Sequence, residues 1–367
     1  MIYFDNAATT RMADEVIDEM NRSFLEDYAN PSSLHSLGFG VEKKIKEARK
    51  KIAGRLEVAD KDLFFAPSAT LANNFVLNSF LQDGKNIIIS EGEHSSIRSF
   101  ARNREDYDIR LARLDKEGFV DKDHLLSLVD DNTILVSIIH VQNELGSIND
   151  INDLARAVKE KNKGVFFHSD GVQAFNKIDV DLSNVDAYTI SAHKINGPKG
   201  LAALYMKDAR KGKSLYFGGG QEANIFPGTE NTYSILGLSR AIDLDNNYSD
   251  IYELNKYIRD QVSKIEGVKI VSPDRSFSPY ILNISIKGIG AEILLHYLEM
   301  DQVYISTGSA CSKGAESQVL KAIGLGEDEI KGCIRISFDR SSNMKEARRF
   351  VELLKEKVEI IRNIIGR

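Results

Sequence analysis

Four polar residues stand at or just beyond the ends of apolar runs that read as β-strands. His94 follows NIIIS (86–90), Asn143 follows TILVSIIHV (133–141), Asp170 ends VFFHSD (165–170), and Lys194 follows AYTISAH (187–193). In an open parallel sheet, ligands bind outside the carboxyl edge of the strands. One such residue means little, because a strand-end aspartate such as Asp170 often only caps the next helix. Four on separate strands make a convergent site. A fifth reactive group, Cys311, lies in ISTGSACSKG (305–314), among Ser, Thr and Gly rather than apolar packing. The other cysteine, Cys333 in CIRISF, has the setting of a small core residue.

Lys194 lies in SAHKINGPKG, where short and turn-forming neighbours hold its amine in place. A lone loop lysine is normally a surface residue. A Schiff-base lysine instead needs an aspartate for a pyridinium nitrogen, a flat group over the ring, and phosphate donors. Asp170, His94, Ser191 and Thr70 supply those types, which makes pyridoxal 5'-phosphate the leading cofactor. Asp170 would keep the ring nitrogen protonated, and His94 would stack on the ring and carry protons. His168 has a structural reading.

The elements that must position these groups alternate. Almost wholly apolar strands, including LAALYM (201–206), are separated by amphipathic segments such as INDLARAVKEK (151–161). The fold class is therefore α/β, a large domain with a mainly parallel central sheet. After GGGQEANIFPGTEN (218–231) the pattern changes to one helical stretch over about 232–265 and the strands ILNISI (281–286), VYIST (303–307) and CIRISF (333–338). A last helix opens with Asn343 and Glu346 and carries an apolar stripe from Ala347 to Ile361. This reads as a smaller α+β domain. The expected division is 15–248 for the large domain, with 1–14 and 249–367 forming the small one.

At 367 residues, two domains are the better expectation. A net charge of −6 without a basic field argues against nucleic-acid binding, since KEARKK is interleaved with apolar residues of a helix face. No run approaches membrane-spanning length. Two cysteines give neither a disulfide framework nor a zinc signature, so no metal site is expected and a cytoplasmic setting fits.

The ordered series YFDNAATT (3–10), NPSSLHSLG (30–38), EHSSI (93–97), VQNELGSINDI (141–151), FHSDGVQ (167–173), SAHKINGPKGLAALY (191–205), GTEN (228–231), STGSACSKG (306–314) and IRISF (334–338) carries a resemblance over most of the chain. The chain resembles the cysteine desulfurases of the NifS/IscS type, within the class V aminotransferase superfamily of fold-type I pyridoxal phosphate enzymes. The resemblance implies L-cysteine as substrate, L-alanine as product, and Cys311 as the thiol that receives the sulfur as a persulfide. Lys194 would bond the cofactor, Asp170 would pair with its ring nitrogen, and Gln173 and Asn143 would lie near its phenolic oxygen. Ala69, Thr70, Ser191 and His193 would hold the phosphate, with Thr229 reaching it from a second subunit of a homodimer. Arg335 would clamp the substrate carboxylate. The sulfur would pass to an acceptor protein, such as a scaffold for iron–sulfur cluster assembly or a tRNA-thiolation enzyme.

Three positions depart from that pattern. Ser68 and Leu71 stand where the family has Gly and Glu, Phe226 replaces an arginine before GT, and the segment after Cys311 is shorter than usual. A serine at 68 is expected to restrict close backbone approach to a phosphate. A related lyase or aminotransferase acting on selenocysteine or another amino acid, which needs Lys194 and Asp170 but not Cys311, stays open as an alternative. So does a silent scaffold paralogue, which the changes at Ser68, Leu71 and Phe226 motivate.

Overall fold

The computed structural model describes residues 1–209, 212–307 and 317–366. Strand β1 (Ile2–Tyr3) begins the chain. Seven strands then build the central sheet: β2 (Leu63–Ala66), β3 (Asn86–Ser90), β4 (Asp108–Ala112), β5 (Thr133–Ile139), β6 (Phe166–Asp170), β7 (Ala187–Ser191) and β8 (Ala202–Met206). Their order is β2-β8-β7-β6-β5-β3-β4, and β8 alone runs against its neighbours. Strands β3, β6, β7 and β8 are buried at every residue. Helices cover both faces of the sheet, so these strands need no polar face, and β3 and β8 read as almost continuous apolar runs. Within helix Ile151–Lys161, the expected Ile151, Leu154, Ala155 and Val158 are the buried face, and Asp150 accepts the Asp153 amide to start the helix.

The second sheet is antiparallel, in the order β12-β13-β10-β9, from β9 (Val268–Ile270), β10 (Ile281–Ile286), β12 (Ser306–Thr307) and β13 (Cys333–Ser337). Between them, β11 (Val303–Tyr304) pairs with β1 in parallel. The run VYIST is thus two strands rather than one. Its first half joins the N-terminus, its second half joins β13, and buried Ile305 lies between.

The helical stretch expected over about 232–265 is also two elements, Thr232–Ala241 and Tyr248–Val262. Asn247 breaks it. That residue takes φ 53°, a left-handed conformation asparagine tolerates, and its Nδ2 donates to Arg340 O at 2.7 Å. The closing helix, Met344–Ile365, is capped by Asn343 Oδ1 on the Glu346 amide and buries its expected stripe.

Apolar side chains pack on both faces of the central sheet. A separate cluster joins Ile2 and Phe4 to residues from Ile251 to Ile361. Phe4 packs edge-on against Phe338, ring centroids 5.0 Å apart, so the N-terminal segment is fastened to β13's end. That fastening leads residues 5–9 across the carboxyl edge of the central sheet.

Candidate active site

A cavity of about 510 Å³ opens at that edge. His94, Asn143, Asp170, Gln173, Ser191, His193, Lys194 and Arg335 all line it, as do Ala69 and Thr70. Ten of the sequence-predicted residues therefore meet around one space. Thr229 does not. It lines a neighbouring cavity of about 420 Å³ that shares Gly200 and Leu201 with the first. Cys311 lies outside the described residues.

Lys194 ends the short turn Ala192–Lys194 that follows β7. Its Nζ donates to Ala7 O and Ala8 O, each at 2.6 Å. The N-terminal segment reaches this place because Thr10 is stitched to the same turn: its amide and hydroxyl both donate to His193 O, and Asn196 N donates to its Oγ1. His193 Nδ1 meets Thr9 Oγ1 at 3.1 Å. Burial, with Lys194 next in effect, pushes His193 down to about 4, so its ring is neutral.

Asp170 is 3 % exposed, and both of its oxygens accept from neutral donors, Val172 N at 3.0 Å and Asn73 Nδ2 at 2.8 Å. Asn73 also reaches Ser96 Oγ at 2.9 Å, tying the carboxylate to the helix that His94 caps. His94 Nδ1 accepts the Ser96 amide at 3.2 Å, which leaves Nε2 to carry the proton of the neutral ring. Burial lowers its pKa, against the pull of Asp170. Behind it, Glu93 Oε1 accepts from Ser90 Oγ and Ile139 N, while Oε2 is buried without a partner. Burial pushes this carboxyl up to about 8.

Helix Ala69–Ser79 points its N-terminus at the cavity. Its first-turn amides have no intrahelical acceptors, and together with the helix dipole they suit an anion. Ser68 caps the helix, its Oγ accepting Leu71 N at 3.2 Å, with φ −162°, an extended conformation open to any residue. Serine therefore sits there without backbone strain. Phe226 is 7 % exposed and packs on Phe75, ring centroids 5.5 Å apart, and it lines the same neighbouring cavity as Thr229.

Arg335 comes from β13 and is 3 % exposed. Its Nη2 lies 3.1 Å from Asp5 Oδ1 and its Nη1 donates to Asn143 O at 3.0 Å. Its Nε is buried without a partner. His168 lies fully buried between Ser137 Oγ and Thr189 Oγ1, as its structural reading requires. Cys333 is 1 % exposed and packs into the core.

Sequence reasoning gave no role to Asp5, the Ala7 and Ala8 carbonyls, Asn73, Ser96 or Lys199, although Lys199 also lines the cavity. The DNAA run was visible, but nothing local says that its backbone crosses a sheet edge far away in sequence.

The chain matches the family Aminotransferase class-V over residues 2–350. It is 35 % identical to a NifS/IcsS protein homolog of Lactobacillus delbrueckii subsp. bulgaricus, over 97 % of this chain and 97 % of that protein. It is 35 % identical to the cysteine desulfurase IscS of Dictyoglomus turgidum, over 99 % of this chain and 96 % of that one. Among solved structures, a NifS-like protein superposes with TM-score 0.92 at 31 % identity, covering 98 % of this chain and 99 % of its own. A NifS-like protein from Rickettsia africae does so with TM-score 0.89 at 31 % identity, again covering 98 % and 99 %.

Proposed function

The chain belongs to the aminotransferase class-V family, and from that premise we propose that it is a cysteine desulfurase dependent on pyridoxal 5'-phosphate. The single observation that carries this reading is the meeting of Lys194, Asp170, His94 and Arg335 around one cavity. The alternatives of another amino-acid lyase and a silent scaffold gain no observation of their own. Of the three changes that motivated the scaffold, Ser68 caps a helix, and Leu71 and Phe226 pack in one apolar cluster.

The residues present fit the cofactor. Asp170 is a buried carboxylate whose current donors are neutral, so it suits a ring N–H⁺. The helix N-terminus at Ala69 and Thr70, with Ser191 and His193, suits a phosphate. His94 supplies a neutral flat ring, Gln173 and Asn143 supply amides, and Lys194 supplies the amine. When bound, the cofactor draws electrons from the substrate's α-carbon.

The chain's own residues then divide the work. Arg335 holds the substrate carboxylate: it lines the cavity, and a fork-shaped donor binds a carboxylate through two bonds. Lys194 and His94 stand where protons must be moved. Cys311 takes the sulfur. In balance, the Cβ–S bond of L-cysteine breaks, an S–S bond to Cys311 forms, and Cβ keeps the electron pair and gains a proton. L-alanine leaves, and the persulfide Cys311–S–SH remains. A free thiol begins near pKa 8.5 and gives the needed thiolate far more readily than a serine hydroxyl.

The persulfide then serves an acceptor protein in the cytoplasm, an iron–sulfur scaffold or a tRNA-thiolation enzyme. No described helix is long and apolar enough to cross a membrane. The working unit is a homodimer in which Thr229 completes the other subunit's phosphate site. Supporting this are its place outside its own chain's cavity and the exposed apolar side chains Phe24, Leu25, Leu34, Phe39 and Phe217. The division at 15–248 against 1–14 with 249–367 is supported by the separate apolar cluster of the second sheet. Incubation with L-cysteine, with alanine and enzyme-bound persulfide measured together, tests the function. Both products are expected, and alanine without persulfide contradicts it.

A further inference from the structure

Lys177 has no role in the chemistry above, yet it is 4 % exposed and lies beside the active lysine. It lines a small cleft behind the main cavity, together with Lys194, Tyr280 and Asp339. The acidic groups of that cleft are committed elsewhere. Asp339 accepts from Asn196 Nδ2 and from the amide and hydroxyl of Ser341, and Asp245 accepts from Asn247 N. The partner of Lys177 is a neutral amide: Nζ donates to Gln173 Oε1 at 3.2 Å. The ring of Tyr280 has its centroid 5.6 Å from the same nitrogen. Burial, then the charges of Lys194 and Arg335 against that of Asp339, hold this amine down to about 7. A buried amine without a committed counter-ion adds little to stability, so its presence calls for another reason.

Gln173 supplies one. Its amide has two N–H donors on one side and a carbonyl on the other, and a half-turn exchanges them. Nε2 donates to Ala7 O at 2.9 Å, and Ala7 O also accepts from Lys194 Nζ. We propose that Lys177 is a positioning residue, which fixes the Gln173 amide so that Nε2, and not Oε1, faces the cavity. A lysine nitrogen donates to Oε1 whether charged or neutral, so the orientation survives its titration. One N–H of Nε2 is used by Ala7 O, and the other is left for an acceptor in the cavity. This rests on the pyridoxal phosphate reading, in which that acceptor is the cofactor's phenolic oxygen. A donor there stabilises the oxygen as an anion, and a carbonyl there would repel it.

The test uses full-length protein, with pyridoxal phosphate itself as the probe. K177M and K177L remove the donor, and K177Q restores a neutral one. Melting temperatures establish that the variants fold, and the two apolar variants guard against either failing. The readouts are the dissociation constant for pyridoxal phosphate and the pH midpoint of the bound cofactor's visible band. Expected for the apolar variants are about tenfold weaker binding and a midpoint raised by about half a unit or more, with K177Q close to the parent. The inference is overturned if the apolar variants match the parent in both readouts, or if K177Q is as impaired as they are. A parent chain that takes up no pyridoxal phosphate overturns the functional reading, and this inference falls with it.

Discussion

Asp5 Oδ1 stands 3.1 Å from Arg335 Nη2, so the guanidinium that faces the cavity is held from behind by a carboxylate of the N-terminal segment. The pair orients Arg335 at the cavity. Arg335→Lys keeps the charge but loses the fork and the bond to Asn143 O. The KM for L-cysteine should rise about tenfold or more, with a smaller change in kcat. Steady-state kinetics over a range of cysteine concentrations check this, and an unchanged KM would remove Arg335 from carboxylate binding.

Lys194→Ala should fold, because Ala7 O keeps its bond from Gln173 Nε2 and Ala8 lines the cavity. It should bind pyridoxal phosphate without the covalent link. Borohydride reduction followed by peptide mapping reads this directly. Cofactor fixed to the variant at its original place would mean that another lysine makes the link.

Asp170→Ala removes the only acidic side chain lining the cavity among the described residues. On the proposed reading this carboxylate would keep the cofactor's ring nitrogen protonated, and its loss would weaken the electron sink. Alanine formation should fall by about a hundredfold, while the melting temperature changes little. A rate within about a factor of two of the parent would leave Asp170 as a helix cap.

Glu93 makes stability depend on pH in a defined direction. Its folded pKa, about 8, is raised above the ordinary 4.5, mainly by burial. The folded state therefore binds more protons than the unfolded chain between those values, and this residue's contribution falls as pH rises through that window. Glu93→Gln keeps a carbonyl for Ser90 and Ile139 and removes the titration. The loss of melting temperature between about pH 5 and about pH 8 should shrink by about 3 °C or more in the variant. Parallel curves for parent and variant would contradict the assignment.

The parts legible in the sequence were those with local signals. Strands buried on both faces read as apolar runs, and strand-end polar residues announced the cavity. What stayed hidden depends on partners distant in sequence. Strand β2 is an apolar run of only four residues, too short to stand out, and β4 is largely exposed without alternation, so no pattern marks it. The division of VYIST between two sheets is decided by β1 and β13, not by its own residues. Asp5 earns its place through Arg335, which is 330 positions away. The packing of Phe226 also depends on a distant partner, Phe75.

The central claim is that sulfur leaves L-cysteine for Cys311. Cys333 is a poor rival, because burial pushes its thiol up to about 12 and leaves it 1 % exposed. The most direct measurement is peptide mapping by mass spectrometry after incubation with L-cysteine, beside Cys311→Ser and Cys333→Ser. The account predicts one added sulfur atom on the peptide carrying Cys311, with alanine formed in the parent and in Cys333→Ser. Cys311→Ser should still bind pyridoxal phosphate and change its spectrum with cysteine, yet form neither alanine nor persulfide. Sulfur mapped to Cys333, or normal desulfuration by Cys311→Ser, would contradict it.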